Sequence, residues 1–245
     1  MPNCLITGAS SGIGRQLAMH YAKAGWQVLA VARSTDALNA LAQQHTSIQP
    51  FTADLTQAKD IAALCQALTD SGQPLDLAIL NAGTCIYVDA TDLKLSDFEQ
   101  TFAINFFALV ALSAALLPLL KQAAKGRLAL VSSLAHYFPF TRAEAYGASK
   151  AAVSYFADSL RADWASEGVA VSLIEPGFVD TPLTQKNDFA MPFLLTVEDA
   201  TNRIVSGLDH SKPRIRFPKR LVWSLNLLRV LPYRWRIRLA KRMKP

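Results

Sequence analysis

The stretch Asn3-Cys-Leu-Ile-Thr7, running into Gly8-Ala-Ser10-Ser11-Gly12-Ile13-Gly14, decides how this chain is read. Its first five residues have the apolar character of a short strand. The glycines interrupt that strand, and Ile13, Leu17, Ala18 and Tyr21 then recur at helical spacing. A strand, a glycine turn and a helix in this order suit a phosphorylated ligand. Glycines without β-carbons let the backbone approach a pyrophosphate, and the first helical amides face it with the positive end of the helix dipole. A nucleotide is therefore expected near the start of the chain.

Outward from that turn, strand-like apolar runs at Val28 to Val31, Ile48 to Phe51, Leu75 to Leu80, Arg127 to Val131 and Ala170 to Ile174 alternate with helical stretches. This alternation predicts a parallel sheet covered on both faces, an α/β doubly wound fold of Rossmann type. With 245 residues, 51% of them hydrophobic and 18% charged, the chain can bury a large core as one domain. No Gly/Ser- or Pro-rich linker, internal repeat or low-complexity tract divides it.

Further along, Tyr146 and Lys150 stand four apart in Tyr-Gly-Ala-Ser-Lys, with Ser133 thirteen residues before the tyrosine. A helix through them puts phenol and ammonium on one face, one turn apart. Free tyrosine has a pKa of about 10 and relays protons poorly at neutral pH. An ammonium about 4 Å away, at an effective dielectric of ~20, supplies roughly 4 kcal/mol and brings the phenol toward working pH. The expectation is an acid/base pair.

Thr7-Gly8-x-x-x-Gly12-x-Gly14, Asn81-Ala82-Gly83, Asn105, Ser133, Tyr146-x-x-x-Lys150 and Pro176-Gly177 together resemble, in order and spacing, the short-chain dehydrogenase/reductase family over about residues 3 to 217. The resemblance implies Tyr146 as general acid or base, Lys150 as the group that lowers its pKa and holds the nicotinamide ribose, and Ser133 as donor to the substrate oxygen. Ser132 is the rival, though strand alternation turns it away. It also implies Asn105 as the asparagine that interrupts a helix and holds a water beside the lysine. The cofactor would be held by Gly8, Ser10, Ser11, Gly12, Ile13 and Gly14, by Arg33, Asp54 and Leu55, by Asn81, Ala82 and Gly83, by Tyr146 and Lys150, and by Pro176, Gly177, Val179 and Thr181. Asp54 has a second reading as a cap for the helix starting near Thr56.

The end of the second strand reads Val31-Ala-Arg33-Ser34. A carboxylate there would bond the ribose of NAD, whereas Arg33 can fork onto a 2′-phosphate with Ser34 as a further donor, so NADP is expected over NAD. Asp36 is assigned to the first turn of the next helix, capped by Ser34 or Thr35. Ser11 stands where many NADP-using relatives have a basic residue.

Leu134, His136, Tyr137, Phe138, Pro139 and Phe140, with Phe189, Met191, Pro192, Phe193 and Leu194 farther on, predict an apolar, aromatic pocket. His136 reads either as part of that pocket or as a loop histidine. The implied reaction is hydride transfer between nicotinamide and a lipid-like, steroid-like or aromatic carbonyl or alcohol. A catalytically silent NADP-binding sensor or scaffold is the alternative from another class, against which the intact Ser133, Tyr146 and Lys150 stand. An epimerase or dehydratase would need a larger C-terminal substrate domain. The family implies a homodimer through the helices around Asn105 and Tyr146.

Cys4, Cys65 and Cys85 are odd in number and lack metal-ligand spacing, so reduced core cysteines, no metal and a cytosolic setting are expected. Met1 and Pro2 leave no room for a leader before the first strand, and no unbroken run of eighteen apolar residues occurs.

The reading divides residues 1-217, the catalytic domain, from 218-245, a basic, apolar helical extension. From Lys212 onward the chain carries 12 Lys and Arg and no Asp or Glu, leaving 13 basic against 19 acidic residues before it. A net charge of −6 thus stands beside one of +12. Leu221, Leu225 and Leu228 recur at helical spacing, and Trp223, Tyr233 and Trp235 add interfacial rings. These features suit an anionic membrane surface. The same features also suit docking on the chain's own acidic body, sealing of the pocket or a dimer contact; nucleic acid lacks a recognition motif.

Overall fold

The structure, a computed structural model, describes residues 1–242. Seven parallel strands among them form one sheet in the order β3-β2-β1-β4-β5-β6-β7. They are β1 (Asn3–Thr7), β2 (Gln27–Ala32), β3 (Ile48–Thr52), β4 (Leu77–Leu80), β5 (Arg127–Val131), β6 (Ala170–Pro176) and β7 (Arg214–Phe217). The expected apolar runs supply five of these strands. The β4 run starts later than its apolar residues do, because Leu75 lies buried in the approach to the strand.

Helices α1 (Gly12–Lys23), α2 (Thr35–Ala42) and α7 (Val197–Asp209) cover one face, where Leu17, Tyr21, Leu38, Leu41, Ile204 and Leu208 meet Ile6, Val28 and Ile174. Helices α3 (Ala58–Asp70), α5 (Ala108–Gln122) and α6 (Glu144–Trp164) cover the other, where Leu64, Leu112, Leu116, Val153 and Ala157 pack on Leu5, Ala78, Leu80 and Leu128. Strands buried on both faces need near-continuous apolar sequence, and β4, Leu-Ala-Ile-Leu, is buried at all four positions. The strand order reverses between β1 and β4. The carboxyl ends of those two strands therefore open the crevice in which ligands of doubly wound sheets bind.

Helix α4 (Leu95–Phe102) continues through a π-helical turn, Ala103–Phe107, into α5. Together Leu95–Gln122 is long and apolar enough to cross a membrane, with a mean hydropathy of 2.2 in one window. Counting unbroken apolar runs misses this because Asn105, Ser113 and Pro118 interrupt it. The buried residues of α5 are core residues over β4 and β5, which accounts for their apolar character without a bilayer. Toward solvent, Phe107 on this helix and Tyr155 on α6 are exposed, on the helices to which the resemblance assigns a dimer contact.

The residues after β7 form α8 (Lys219–Val230) and α9 (Tyr233–Arg242). Leu221, Val222, Leu225 and Ala240 are buried against Leu134, Tyr137 and Phe138 of the segment that follows β5. The leucines at helical spacing thus face the body. Trp223, Leu227, Val230, Tyr233 and Trp235 are left on the outside, each more than 60% exposed.

Candidate active site

At the end of β1 the backbone of Gly8 takes a φ of +68°, which β-carbons disfavour, and a β-carbon added there would stand 2.9 Å from Asn81 Nδ2. At Gly14 an added β-carbon would meet the Gly8 carbonyl oxygen at 2.3 Å, so the turn closes only with glycine at both ends. Ser11 precedes α1 without capping it through its side chain, and the first turn of α1 carries no acid. The leading amides and the positive helix end are therefore left to an outside anion, and these residues fit a dinucleotide pyrophosphate.

The turn is tied to β4. Thr7 Oγ1 accepts from the backbone amides of Asn81 and Ala82 at 2.9 and 3.0 Å, and Asn81 Nδ2 donates to the Thr7 carbonyl at 3.0 Å. Asn105 sits buried in the π-helical turn, donating to the carbonyl of Thr84, the residue after Gly83, at 2.9 Å and to Ser149 Oγ at 3.0 Å while accepting from Thr84 N at 2.8 Å. Ser149 Oγ in turn donates to the Tyr146 carbonyl at 2.7 Å. Asn105 therefore joins the strand end bearing Asn81-Ala82-Gly83 to the helix bearing Tyr146 and Lys150. The widened turn frees its side chain for this, which fits the interrupted helix expected there. Thr84 and Ser149 belong to this joint although nothing in their spacing marks them in the sequence.

Helix α6 aims Tyr146 into an apolar cavity of about 440 Å³, where Ser133 also opens. Burial pushes the Tyr146 phenol up to about 12, against the opposing effect of a hydrogen bond with Ser133. Lys150 is 4% exposed, and its ammonium donates to the Val131 carbonyl at 2.9 Å. It stands 5.8 Å from the centre of the Tyr146 ring, and burial pulls its pKa down to about 8. This corrects the sequence expectation. One turn of helix brings the two groups together, but the β5 carbonyl holds the ammonium, and desolvation raises the phenol instead of lowering it. Ser132 Oγ donates to the Lys150 carbonyl at 2.7 Å, facing away from the cavity as strand alternation requires.

Arg33 lies just past β2, exposed and without an ion pair among the described residues. Ser34 Oγ accepts from Ala37 N at 3.4 Å as the cap of α2, and Asp36 falls in its first turn. Asp54 follows β3. Its Oδ1 accepts from Thr56 N at 3.0 Å and Thr56 Oγ1 at 2.8 Å, which holds the carboxyl below its ordinary value, with the Arg33 charge a smaller contribution. Asp54 closes its own turn and does not cap α3, which starts after Gln57; Leu55 beside it is core. Gly177 N donates to Phe217 O at 2.7 Å, and a β-carbon at Gly177 would meet Leu221 Cδ2 of α8 at 2.6 Å. Val179 pairs with Leu195, and Thr181 lies across from Gly12, whose added β-carbon would stand 3.1 Å from its methyl. Pro176 to Thr181 thus runs beside the glycine turn.

Not every residue assigned to the apolar pocket reaches it. Leu134, Phe140, Phe189 and Pro192 line the cavity, joined by Phe178 and by Leu221, Leu225 and Leu228 of α8. Tyr137 and Phe138 instead pack beneath α8, while Phe193 and Leu194 face outward. His136 turns away from the cavity. Its Nε2 lies 2.9 Å from Glu175 Oε1 and 3.1 Å from Ser154 Oγ, because Glu175 is fully buried and needs a partner. Cys85, Tyr87 and Asn187 add polar atoms that sequence reasoning missed. Cys85 stands just two residues after the Asn-Ala-Gly run, which is the signal that could have placed it at the site. Burial pushes its thiol up to about 11.

Lys150 supplies a stability test. Its folded pKa of about 8 lies below its ordinary value of 10.5, so between these pH values the unfolded chain binds a proton that the folded chain lacks. The cost of burying the ammonium is complete below pH 8 and disappears as pH rises through that window. Relative to Lys150→Met, wild type is expected to gain roughly 3 kcal/mol between pH 7.5 and 10.5 in urea unfolding. A difference that stays flat with pH would show that the ammonium is not desolvated.

Comparisons with known proteins agree with this geometry. The family model described as short chain dehydrogenase matches residues 2–191. A protein of Myxococcus xanthus named an uncharacterized oxidoreductase is 35% identical over 232 residues, covering 93% of this chain and 92% of its own. A fatty acyl-CoA reductase of Acinetobacter baylyi is 34% identical over 236 residues, covering 94% of this chain and 78% of its own. Among solved structures, a short-chain dehydrogenase from Sphingobium yanoikuyae in complex with NADPH is 27% identical, with a TM-score of 0.81 over 88% of this chain and 87% of that one. The family match takes in the glycine turn together with Asn105, Ser133, Tyr146 and Lys150, and the chain accordingly belongs to the short-chain dehydrogenase family of oxidoreductases.

Proposed function

We propose that this oxidoreductase uses NADP(H) to reduce a hydrophobic ketone or aldehyde, or to oxidise the matching alcohol, with Tyr146 as the proton-transferring residue. The observation that carries the reading is the meeting of the Tyr146 phenol and the Ser133 hydroxyl inside a cavity whose apolar walls include Phe140, Phe178, Phe189, Leu221, Leu225 and Leu228. When bound, the nicotinamide supplies or accepts hydride. Ser133 donates a hydrogen bond that fixes the substrate oxygen, and Tyr146 delivers its proton to that oxygen. A phenol held near 12 keeps its proton at neutral pH, which suits the reductive direction. Lys150, anchored on Val131 O and one turn along α6, places positive charge behind the phenol. The apolar walls exclude water and favour lipid-like or aromatic substrates; the fatty acyl-CoA reductase among the relatives is consistent with that class.

Arg33 supports NADP over NAD. It is a guanidinium just past β2 with no ion pair among the described residues, and the Sphingobium relative is a complex with NADPH. Asp36 falls in the first turn of α2, where the helix dipole favours a carboxylate, and the Asp54 carboxyl is held by Thr56.

Two substitutions test these roles. Tyr146→Phe is expected to lower NADPH-dependent reduction of a hydrophobic aldehyde by ~10² to 10⁴-fold with cofactor binding nearly intact. Retention of more than about a tenth of the activity would remove Tyr146 from the assigned role. Arg33→Ala is expected to weaken NADPH binding by roughly 1.5 to 3 kcal/mol while sparing NADH. Equal losses for both cofactors would make Arg33 a structural residue.

The outer surface of α8 and α9 supports a third element of the proposal, peripheral attachment to anionic membrane. Trp223, Leu227, Val230, Tyr233 and Trp235 are exposed among basic residues with no acid between them. Because the inner face of α8 walls the cavity, truncation would confound the test, and the exposed rings are the better targets. Co-sedimentation with phosphatidylglycerol vesicles should rise with anionic content, fall with salt and drop several-fold in Trp223→Glu/Trp235→Glu. Indifference of wild type to such vesicles at low salt would dismiss the attachment.

A further inference from the structure

Another opening in the molecule adjoins the cavity that holds Tyr146. It is a groove of about 720 Å³ between α9 and the segment joining β5 to α6. Arg229 from the last turn of α8, and Tyr233, Arg236 and Lys241 from α9, line one side. Glu144, at the exposed start of α6, is the one acid in the lining.

None of the three cations has an acidic partner within ion-pair distance among the described residues. Aromatic faces position two of them instead: the Arg229 guanidinium lies 4.9 Å from the centre of the Tyr137 ring, and that of Arg236 lies 5.8 Å from the centre of the Tyr233 ring. A ring face orients a guanidinium without neutralising it and leaves the in-plane N–H donors unspent. Arg236 Nε is enclosed and has no acceptor among the described residues, an unsatisfied charged donor of the kind that costs stability unless an anion completes it. Phe138, Pro139, Ile237 and Ala240 give the same groove an apolar floor.

We propose that this groove binds a phosphate-class oxyanion, held by Arg229, Arg236 and Lys241, as the head group of an amphiphile whose alkyl part rests on the apolar floor. Guanidinium forks match phosphate oxygens in pairs, and the excess of cations over acids favours an anion of more than one charge. The groove shares Ala135, Phe140, Thr141 and Ala143 with the cavity that holds Tyr146, so an occupant would press on a wall of the reacting site. The proposal goes beyond the carbonyl reading and does not rest on it.

Titration calorimetry on the full-length protein tests it with inorganic phosphate, dodecyl phosphate below its micellar concentration, and phosphatidylglycerol vesicles. Dodecyl phosphate is expected to bind at least tenfold more tightly than inorganic phosphate, and Arg229→Gln/Arg236→Gln to weaken it at least tenfold. Arg236→Lys keeps the charge but loses the fork, and should weaken dodecyl phosphate measurably even if the double variant folds poorly. Equal, variant-sensitive binding of inorganic phosphate would establish the oxyanion site and overturn the amphiphile as its source. Vesicle binding with neither soluble phosphate bound would overturn the site in favour of a diffuse charged surface, as would binding that no arginine variant changes. Turnover of a neutral aldehyde by wild type reads the carbonyl proposal separately, so either can fail alone.

Discussion

A lysine ammonium kept almost wholly from solvent is the constraint around which the catalytic end of this molecule is arranged. Lys150 has one backbone carbonyl, Val131 O, as its hydrogen-bond acceptor, and a buried cation with so little compensation is tolerated only where the surroundings hold it in place. Those surroundings are extensive. Ser132 and Ser154 both bond the Lys150 carbonyl, Ser149 bonds that of Tyr146, and Asn105 reaches Ser149 from the π-helical turn. Sheet, π-helical turn and α6 are thus fastened together beside the Tyr146 phenol. Such fastening fixes the Tyr146 side chain in the cavity before any ligand arrives.

A second buried acidic group stands near the same helix. Glu175 is wholly enclosed, with His136 on one oxygen and Arg214 of β7 at 3.9 Å from the other. Arg214 also pairs with Asp158 of α6, so the edge strand is joined electrostatically to the helix that carries Tyr146. Removing one partner of such a group leaves the other stranded in low dielectric, which makes these contacts more consequential than the surface pair Lys94–Asp92.

Much of this was legible in the sequence because it rests on local rules. The glycine turn, the strands and the helix through Tyr146 and Lys150 each follow from steric freedom or periodicity over a few residues. What depended on partners distant in sequence was not legible. Leu221, Leu225 and Leu228 announce an apolar face on α8, but periodicity cannot say whether lipid or the chain's own Leu134 and Phe138 will cover it. Spacing put the ammonium and the phenol on one helical face, yet the competing carbonyl of Val131 comes from another strand. His136 was ambiguous for the same reason, since its partner Glu175 lies 39 residues away. Phe107 and Tyr155, apolar and outward, show the limit from the other side: exposure is visible only once the fold exists.

The wall that α8 gives to the cavity has a consequence for how relatives of this protein should be compared. Tyr146 and Ser133 lie within residues 2–191, which the family model matches, as do the cavity walls Leu134, Phe140, Phe178 and Phe189, whereas Leu221, Ser224, Leu225 and Leu228 lie beyond them. Part of the cavity wall is therefore written in a stretch of chain separate from Tyr146 and Ser133, and that part can drift without them. Two relatives alike through the shared stretch would be expected to run the same chemistry on differently shaped molecules. An exchange of the helix after β7 would then be the shortest route from one selectivity to another.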